Sequence, residues 1–401
     1  MSNHSSDRGA RAEKTHFAGL DSLRFFAAAF VVVGHAALNQ QSVGLPDYSR
    51  AAFFFRGATA VSFFFTLSGF LITYLLLEEH RRTGTVSVRR FYLRRVCRIW
   101  PVYFAVVLFG LAFYNLLLPA LSIPYRVEYQ VPVALGLYTL FLPNLMNSLY
   151  TVGGILNPSW SIGVEEQFYL TWAPAFRRFR GVLPQLCATV LAAFLGVSVL
   201  NHFRLFGAGW AEKLVGQLEF HFMAAGALCA YWLHAHPKRM LALPVFRSRV
   251  IQVALFLLLA ELYLVGRIPW GWLGQEVVQV VLYCWLILTV AANPRNVVKL
   301  HNRAFEYLGK VSYGIYMFHM IAVYAASWLF LRTSWWHGRP AAFYPAYYAL
   351  VFAVTILLAY LSYRYFETPF LRLKNRRYAS LRSQGTAQTP LLPAADRGVA
   401  G

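Results

Sequence analysis

The sequence predicts an all-α, polytopic membrane helical bundle with about ten transmembrane helices plus one short or re-entrant segment. Three observations carry that expectation. Apolar residues make up 58% of the 401-residue chain and charged residues only 13%, too lopsided a balance for a water-soluble protein of this size. Apolar runs close to the length that spans hydrocarbon recur along the chain, and mean hydropathy is +0.47. Aromatic residues reach 17%, with Tyr and Trp often near the ends of the runs, as at membrane interfaces. The formal net charge of +21 invites a nucleic-acid partner. That class is excluded because the cations are confined to short loops between apolar segments, where they anchor a chain in a lipid bilayer.

Residues 1–16 are polar and read as a disordered cytoplasmic tail, with no cleavage site of the secretory kind. Apolar segments follow at 17–38, 58–77, 101–119, 132–150, 160–176, 182–200, 213–233, 250–266, 271–292, 311–331 and 341–365. The fourth stands apart. Pro132, Gly136 and Pro143 interrupt it, and it ends in a polar stretch around Asn144 and Asn147. If it is re-entrant and both termini are cytoplasmic, 28 Lys/Arg fall inside and 8 outside. If it crosses, every later loop inverts and the count becomes 15 inside against 21 outside. Ten crossings with a re-entrant fourth segment are therefore expected. The membrane domain should cover 17–371, followed at 372–401 by a basic and then disordered tail. Cys97, Cys187, Cys229 and Cys284 lie far apart and form neither a metal spacing nor a disulfide framework, so no metal site is expected.

Several stretches carry groups that an apolar bundle does not need. Arg24 and His35 share the first segment, eleven residues apart, which puts both on one helix face about 16 Å apart along the axis. Ionisable groups in hydrocarbon are costly and mark function with a partner, and imidazole can take a proton from a hydroxyl. The loop after the second segment holds Arg89, Arg90, Arg94, Arg95 and Arg98 and no lysine. Positive-inside anchoring explains its charge; the planar guanidinium fork also suits bidentate phosphate binding. Arg95 and Arg98, three apart, share a helix face and could grip a multiply phosphorylated ligand together with Arg94. Residues 157–170 contain Trp160, Ser161, Glu165, Glu166 and Tyr169. Ser159 or Ser161 would cap the following helix, and one carboxylate could orient an imidazole. Ser312, Tyr316 and His319 form a polar stripe on one face of a late helix. Ser68-Gly69 reads first as a close-packing site. Glu367 reads as a helix-end partner for arginines, and the tryptophans Trp335 and Trp336 as interfacial belt.

Taken together these stretches resemble the acyltransferase-3 family of bacterial polytopic membrane acyltransferases. The resemblance covers about residues 17–371. It rests on Arg24 before His35, F-x-x-S-G-F at Phe65–Phe70, R-x-x-R and I-x-P-x-Y at Arg95 to Tyr103, and W-S-x-x-x-E-x-x-F-Y at Trp160 to Tyr169. S-Y-x-I-Y-x-x-H at Ser312 to His319 and E-x-P at Glu367 and Pro369 complete it. The resemblance implies transfer of an acyl group, usually acetyl, from acyl-CoA as donor substrate to a hydroxyl of a carbohydrate or glycolipid acceptor at the bacterial inner membrane, with no permanently bound cofactor. It also implies either completion of the reaction within the membrane domain or delivery to a separate periplasmic partner. On this reading Arg24, Arg95 and Arg98 bind acyl-CoA, and His35 is the base or a transient acyl carrier. Glu165 holds the imidazole, with Trp160, Ser161, Tyr169, Ser312, Tyr316 and His319 in support. A proton-coupled transporter or flippase of lipid-linked glycans is the rival class, because intramembrane Arg, His and Glu serve that too.

Overall fold

The computed structural model describes residues 17–47, 52–265 and 271–373; the expected tails at 1–16 and beyond residue 373 lie outside them. Among the described residues every regular element is helical, which satisfies backbone polar groups within each segment. The principal helices are α1 (Ala18–Val43), α2 (Gly57–Thr83), α3 (Val88–Ala112), α4 (Val131–Thr139), α5 (Pro143–Leu149), α6 (Ser159–Phe179) and α7 (Leu183–His202). They continue with α8 (Phe220–Ala235), α9 (Arg249–Leu264), α10 (Gly271–Ala292), α11 (Arg303–Lys310), α12 (Ser312–Leu331) and α13 (Pro340–Leu361). Ser87, Ser248 and Asn302 cap α3, α9 and α11 through their side-chain oxygens. α3 and α13 each run on into a π-helical turn, at Phe113–Leu117 and Ser362–Glu367.

Among the described residues, seven helical stretches are long and apolar enough to cross a membrane. One of them, Ser159–His202, contains both α6 and α7, joined by a tight turn at Arg180–Val182. α8 and α9 have 16 residues each, about 24 Å of helix. Ten crossings therefore require both of these to span. The fourth apolar segment is broken into α4 and α5, nine and seven residues long, and neither reaches across a core of about 30 Å. Pro132 and Pro143 stand in the first turns of these two helices, where a missing N–H costs nothing. The pair is pinned from both sides. Tyr103 of α3 donates its hydroxyl to the Tyr138 carbonyl at 3.0 Å and stacks on Phe141 at 4.7 Å. Gln167 of α6 donates to the Phe141 carbonyl at 2.9 Å.

Side-chain contacts fix the relative direction of the helices. On α2 and α8, Ser62 donates to Glu219, just before α8, at 2.6 Å, while Glu78 meets His234 near the other end at 3.8 Å. The two helices are thus parallel. α1 and α12 are parallel as well: Arg24 and Ser312 line one cavity, His35 meets His319, and Ser327 donates to Asn39 at 2.7 Å. α2 and α8 touch backbone to backbone. A Cβ on Gly69 would lie 1.9 Å from the Met223 carbonyl oxygen, and one on Gly226 would lie 1.9 Å from that of Thr66. Only glycine permits this approach. Around this core, large apolar side chains stay exposed on the outer helices, among them Val250 and Leu257 of α9 and Leu357 of α13. So extensive an apolar surface is suited to lipid rather than water.

Candidate active site

One cavity of about 90 Å³ gathers most of the polar groups singled out above. α1 contributes Arg24 and α2 contributes Ser68. α3 supplies Arg95 and Arg98, α6 Ser161, Glu165 and Tyr169, and α12 Ser312 and Tyr316. Phe64, Phe65 and Ile99 form apolar wall. Five helices distant in sequence thus converge on a space that admits a few waters.

The arginines are held differently. Arg24 makes an ion pair with Asp21 one turn away at 3.1 Å. The Arg95 guanidinium lies over the rings of Tyr169 and Phe91, 5.2 and 5.6 Å from their centres, and its buried Nε has no partner. Aromatic faces hold a cation without neutralising it, so Arg95 keeps its hydrogen-bonding edge free. Arg98 is exposed at the cavity rim. Arg94 does not join them; it pairs with Glu79 at 2.7 Å and does not line the cavity. A three-cation grip of consecutive loop arginines is thereby replaced by Arg24, Arg95 and Arg98. Glu367 accepts a hydrogen bond from Ser362 at 3.1 Å, its closest partner lying in its own π turn.

The carboxylates and the serine caps also differ from the sequence-based reading. Glu165 accepts from Ser68 at 2.7 Å and from Tyr169 at 3.0 Å, so it braces the cavity wall and does not hold His35. Glu166 is buried on the adjoining face, where Trp100 donates to it at 3.2 Å. Ser159 and Ser161 do not cap α6. Both already lie within it, and Ser161 shares a 2.6 Å hydrogen bond with Tyr316. Trp160 sits outside the cavity, edge-on to Phe65 at 6.0 Å. Of Ser68-Gly69, the glycine makes the close helix contact and the serine hydroxyl enters the site. The two read in the sequence as one packing unit; neighbours on a helix point about 100° apart, so Ser68 faces Glu165 while Gly69 faces Met223.

The partner of His35 is His319. Nδ1 of His35 lies 2.7 Å from Nε2 of His319, with the rings parallel and 4.9 Å apart. On its other side His319 places Nδ1 2.5 Å from the Tyr316 backbone carbonyl. A carbonyl oxygen only accepts, so a neutral His319 carries its proton on Nδ1 and offers a lone pair at Nε2. His35 must then donate from Nδ1, which leaves its Nε2 deprotonated. Nε2 has no partner among the described residues. The pair is linked to the cavity through Tyr316, whose ring lies 5.9 Å from that of His319. Beyond the histidines a polar network continues along the same two helices and reaches α13: Asn39 of α1, Ser327 of α12 and Tyr347 of α13 are joined at 2.7 and 2.8 Å. A base with a fixed free nitrogen, reached from cations on one side and hydroxyls on the other, can accept a proton from an incoming alcohol.

Residues 17–364 match the family model described as an acyltransferase domain. The chain belongs to the acyltransferase-3 family. Among curated relatives, O-acetyltransferase OatA of Staphylococcus aureus strain NCTC 8325 / PS 47 is 25% identical over 378 residues, covering 90% of this chain and 58% of that protein. Putative O-acetyltransferase SACOL0978 of S. aureus strain COL is 25% identical over 378 residues, covering 88% of this chain and 57% of that protein. The chain thus spans just under three fifths of the length of these relatives. No solved structure matches it.

Proposed function

We propose that the protein is a multi-pass O-acetyltransferase of the bacterial inner membrane that moves an acyl group, acetyl first, from cytoplasmic acyl-CoA to a hydroxyl of a cell-envelope or exported carbohydrate. The observation that carries the reading is the row of contacts from three cavity arginines, past Tyr316 in the cavity wall, to the His319–His35 pair. The names of the two relatives favour acetyl as the group transferred. Ten crossings with both termini cytoplasmic are part of the proposal. The parallel direction of α2 and α8 supports it, because only an odd number of crossings between them leaves them parallel: α3, α6 and α7 make three, whereas a crossing fourth segment would make four and turn them antiparallel.

In this mechanism the adenine nucleotide stays outside, since the cavity admits only a slim chain. Its phosphates meet exposed Arg98, with Arg95 and Arg24 deeper. The pantetheine arm follows the cavity toward Tyr316 and presents the thioester to the histidine pair. The acceptor hydroxyl approaches His35 from the end lined by Asn39 and Ser327. His35 Nε2 takes the hydroxyl proton as oxygen attacks the thioester carbonyl. The C–S bond breaks, and the proton passes from the imidazolium to the departing thiolate. Glu165 balances the positive charge of the cavity while fixing Ser68 and Tyr169. The test is steady-state acetyl transfer by purified protein. Losing charge-assisted phosphate contacts worth about 1.5–3 kcal/mol should raise KM for acetyl-CoA at least about tenfold in Arg95→Gln and Arg98→Gln, with a smaller change in kcat. An unchanged KM in both removes the arginines from donor binding.

A further inference from the structure

We infer that the arginine-rich end of the bundle also holds an anionic phospholipid from the adjoining leaflet, at a site separate from the acyl-transfer cavity. Its phosphate would sit in a basic recess between the start of α9 and the loop after α10. Its hydrocarbon chains would lie in an apolar groove between α1, α9 and α10. The inference does not depend on the proposed activity.

The recess measures about 680 Å³ and is lined by Arg247, Arg249, Arg295 and Lys299, with no carboxylate in its lining. No ion pair joins any of the four to an acidic residue among the described residues. All four are exposed, so water and salt screen part of their mutual repulsion, and an anion seated between them relieves the rest. The recess is also built rather than incidental. Gln252, fully buried, donates to the Phe246 carbonyl at 2.8 Å and accepts from Val297 N–H at 3.1 Å, tying together the two segments that carry the cations. Asn293 adds a second tie to the Phe246 carbonyl at 2.9 Å. α9 begins inside the recess, so its N-terminal dipole favours an anion there too.

The groove, about 330 Å³, is lined by apolar side chains almost throughout, including Leu23, Phe26 and Phe30 of α1, Leu259 of α9 and Leu286 of α10. One stretch of chain serves both spaces. Val297 and Lys299 line the recess, while Val298 and Leu300 line the groove. Ser22 donates to the Leu300 carbonyl at 2.7 Å, which fixes this stretch to the start of α1. Scattered interface cations would anchor a helix equally well without a recess or an adjoining groove. A headgroup phosphate with attached hydrocarbon chains matches both spaces at once, whereas a soluble anion leaves the groove unused. α9 exposes Val250, Val253 and Leu257 alongside, so the groove opens where a bilayer lipid can enter.

The test uses the full-length protein in neutral detergent, with added phosphatidylglycerol, phosphatidylcholine of the same chains, or inorganic phosphate. Thermal unfolding and native mass spectrometry are the readouts. Phosphatidylglycerol should raise Tm by several degrees and remain bound, while the other two should do neither. The double variant Arg295→Gln/Lys299→Gln and, independently, Arg247→Gln/Arg249→Gln should weaken phosphatidylglycerol binding at least tenfold. Ala260→Trp, which fills the groove, should weaken it as well. Equal effects of phosphatidylcholine would reduce the site to ordinary annular lipid. An equal effect of inorganic phosphate, or full binding by Ala260→Trp, would make the recess a pocket for a free anion and overturn the proposal.

Discussion

His319 gives His35 a defined tautomer, and that is a role with its own kinetic signature. It touches no substrate in the proposed mechanism, so it is a positioning residue. His35→Ala should lower kcat by about 10²–10⁴-fold, the usual worth of a positioned base. His319→Ala should cost less and leave KM for acetyl-CoA close to wild type, because the donor site is untouched. His319→Gln should recover part of the loss, since its amide oxygen can still accept from His35 Nδ1–H. Equal kcat in His319→Ala and His319→Gln, measured by coenzyme A release, would show that the contact does not orient the ring. Both histidines and all three arginines were legible in the sequence because ionisable groups in apolar runs have few structural excuses. Their pairing was not. His35 and His319 are 284 residues apart, and nothing local in W-S-I-G-V-E-E says that Glu165 turns toward Ser68.

The elements hold the site through two devices. The first is the glycine contact between α2 and α8, which sets Ser68 against Glu165. A side chain at Gly226 must displace the backbone of α2, not a flexible side-chain end. Gly226→Leu should therefore destabilise the protein by about 1–3 kcal/mol or more, read as a lowered Tm in detergent, and should reduce acetyl transfer with it. A variant of wild-type Tm would mean that the helices separate at no cost. The second device is the pair of short helices α4 and α5, clamped by Tyr103 and Gln167. Prolines and the charge balance made this break visible in the sequence. Gly226 was not legible there, because it lies in an apolar run whose packing partner, Thr66, is 160 residues away.

At the scale of the molecule, helix direction and charge agree. α8 ends beside the arginine-rich end of α2, and α10 begins at the opposite end, where Glu276 lies 3.6 Å from His221 at the start of α8. The chain between them must return through α9, short as that helix is. A reporter active only in the periplasm, fused after residue 401, should stay inactive, and activity there would overturn the ten-crossing topology. The membrane class was legible from composition and run length. The count was not fixed by the same signal, because α8 and α9 fall below the length of an ordinary span while packing within the bundle. The most direct test of the central claim is release of coenzyme A from radiolabelled acetyl-CoA by purified protein in nanodiscs, comparing wild type with His35→Ala. The account predicts label transferred to a hydroxyl acceptor by wild type and at least a hundredfold less by the variant, with acetyl-CoA still bound. Equal transfer by both, or a wild type that binds no acetyl-CoA, would contradict it.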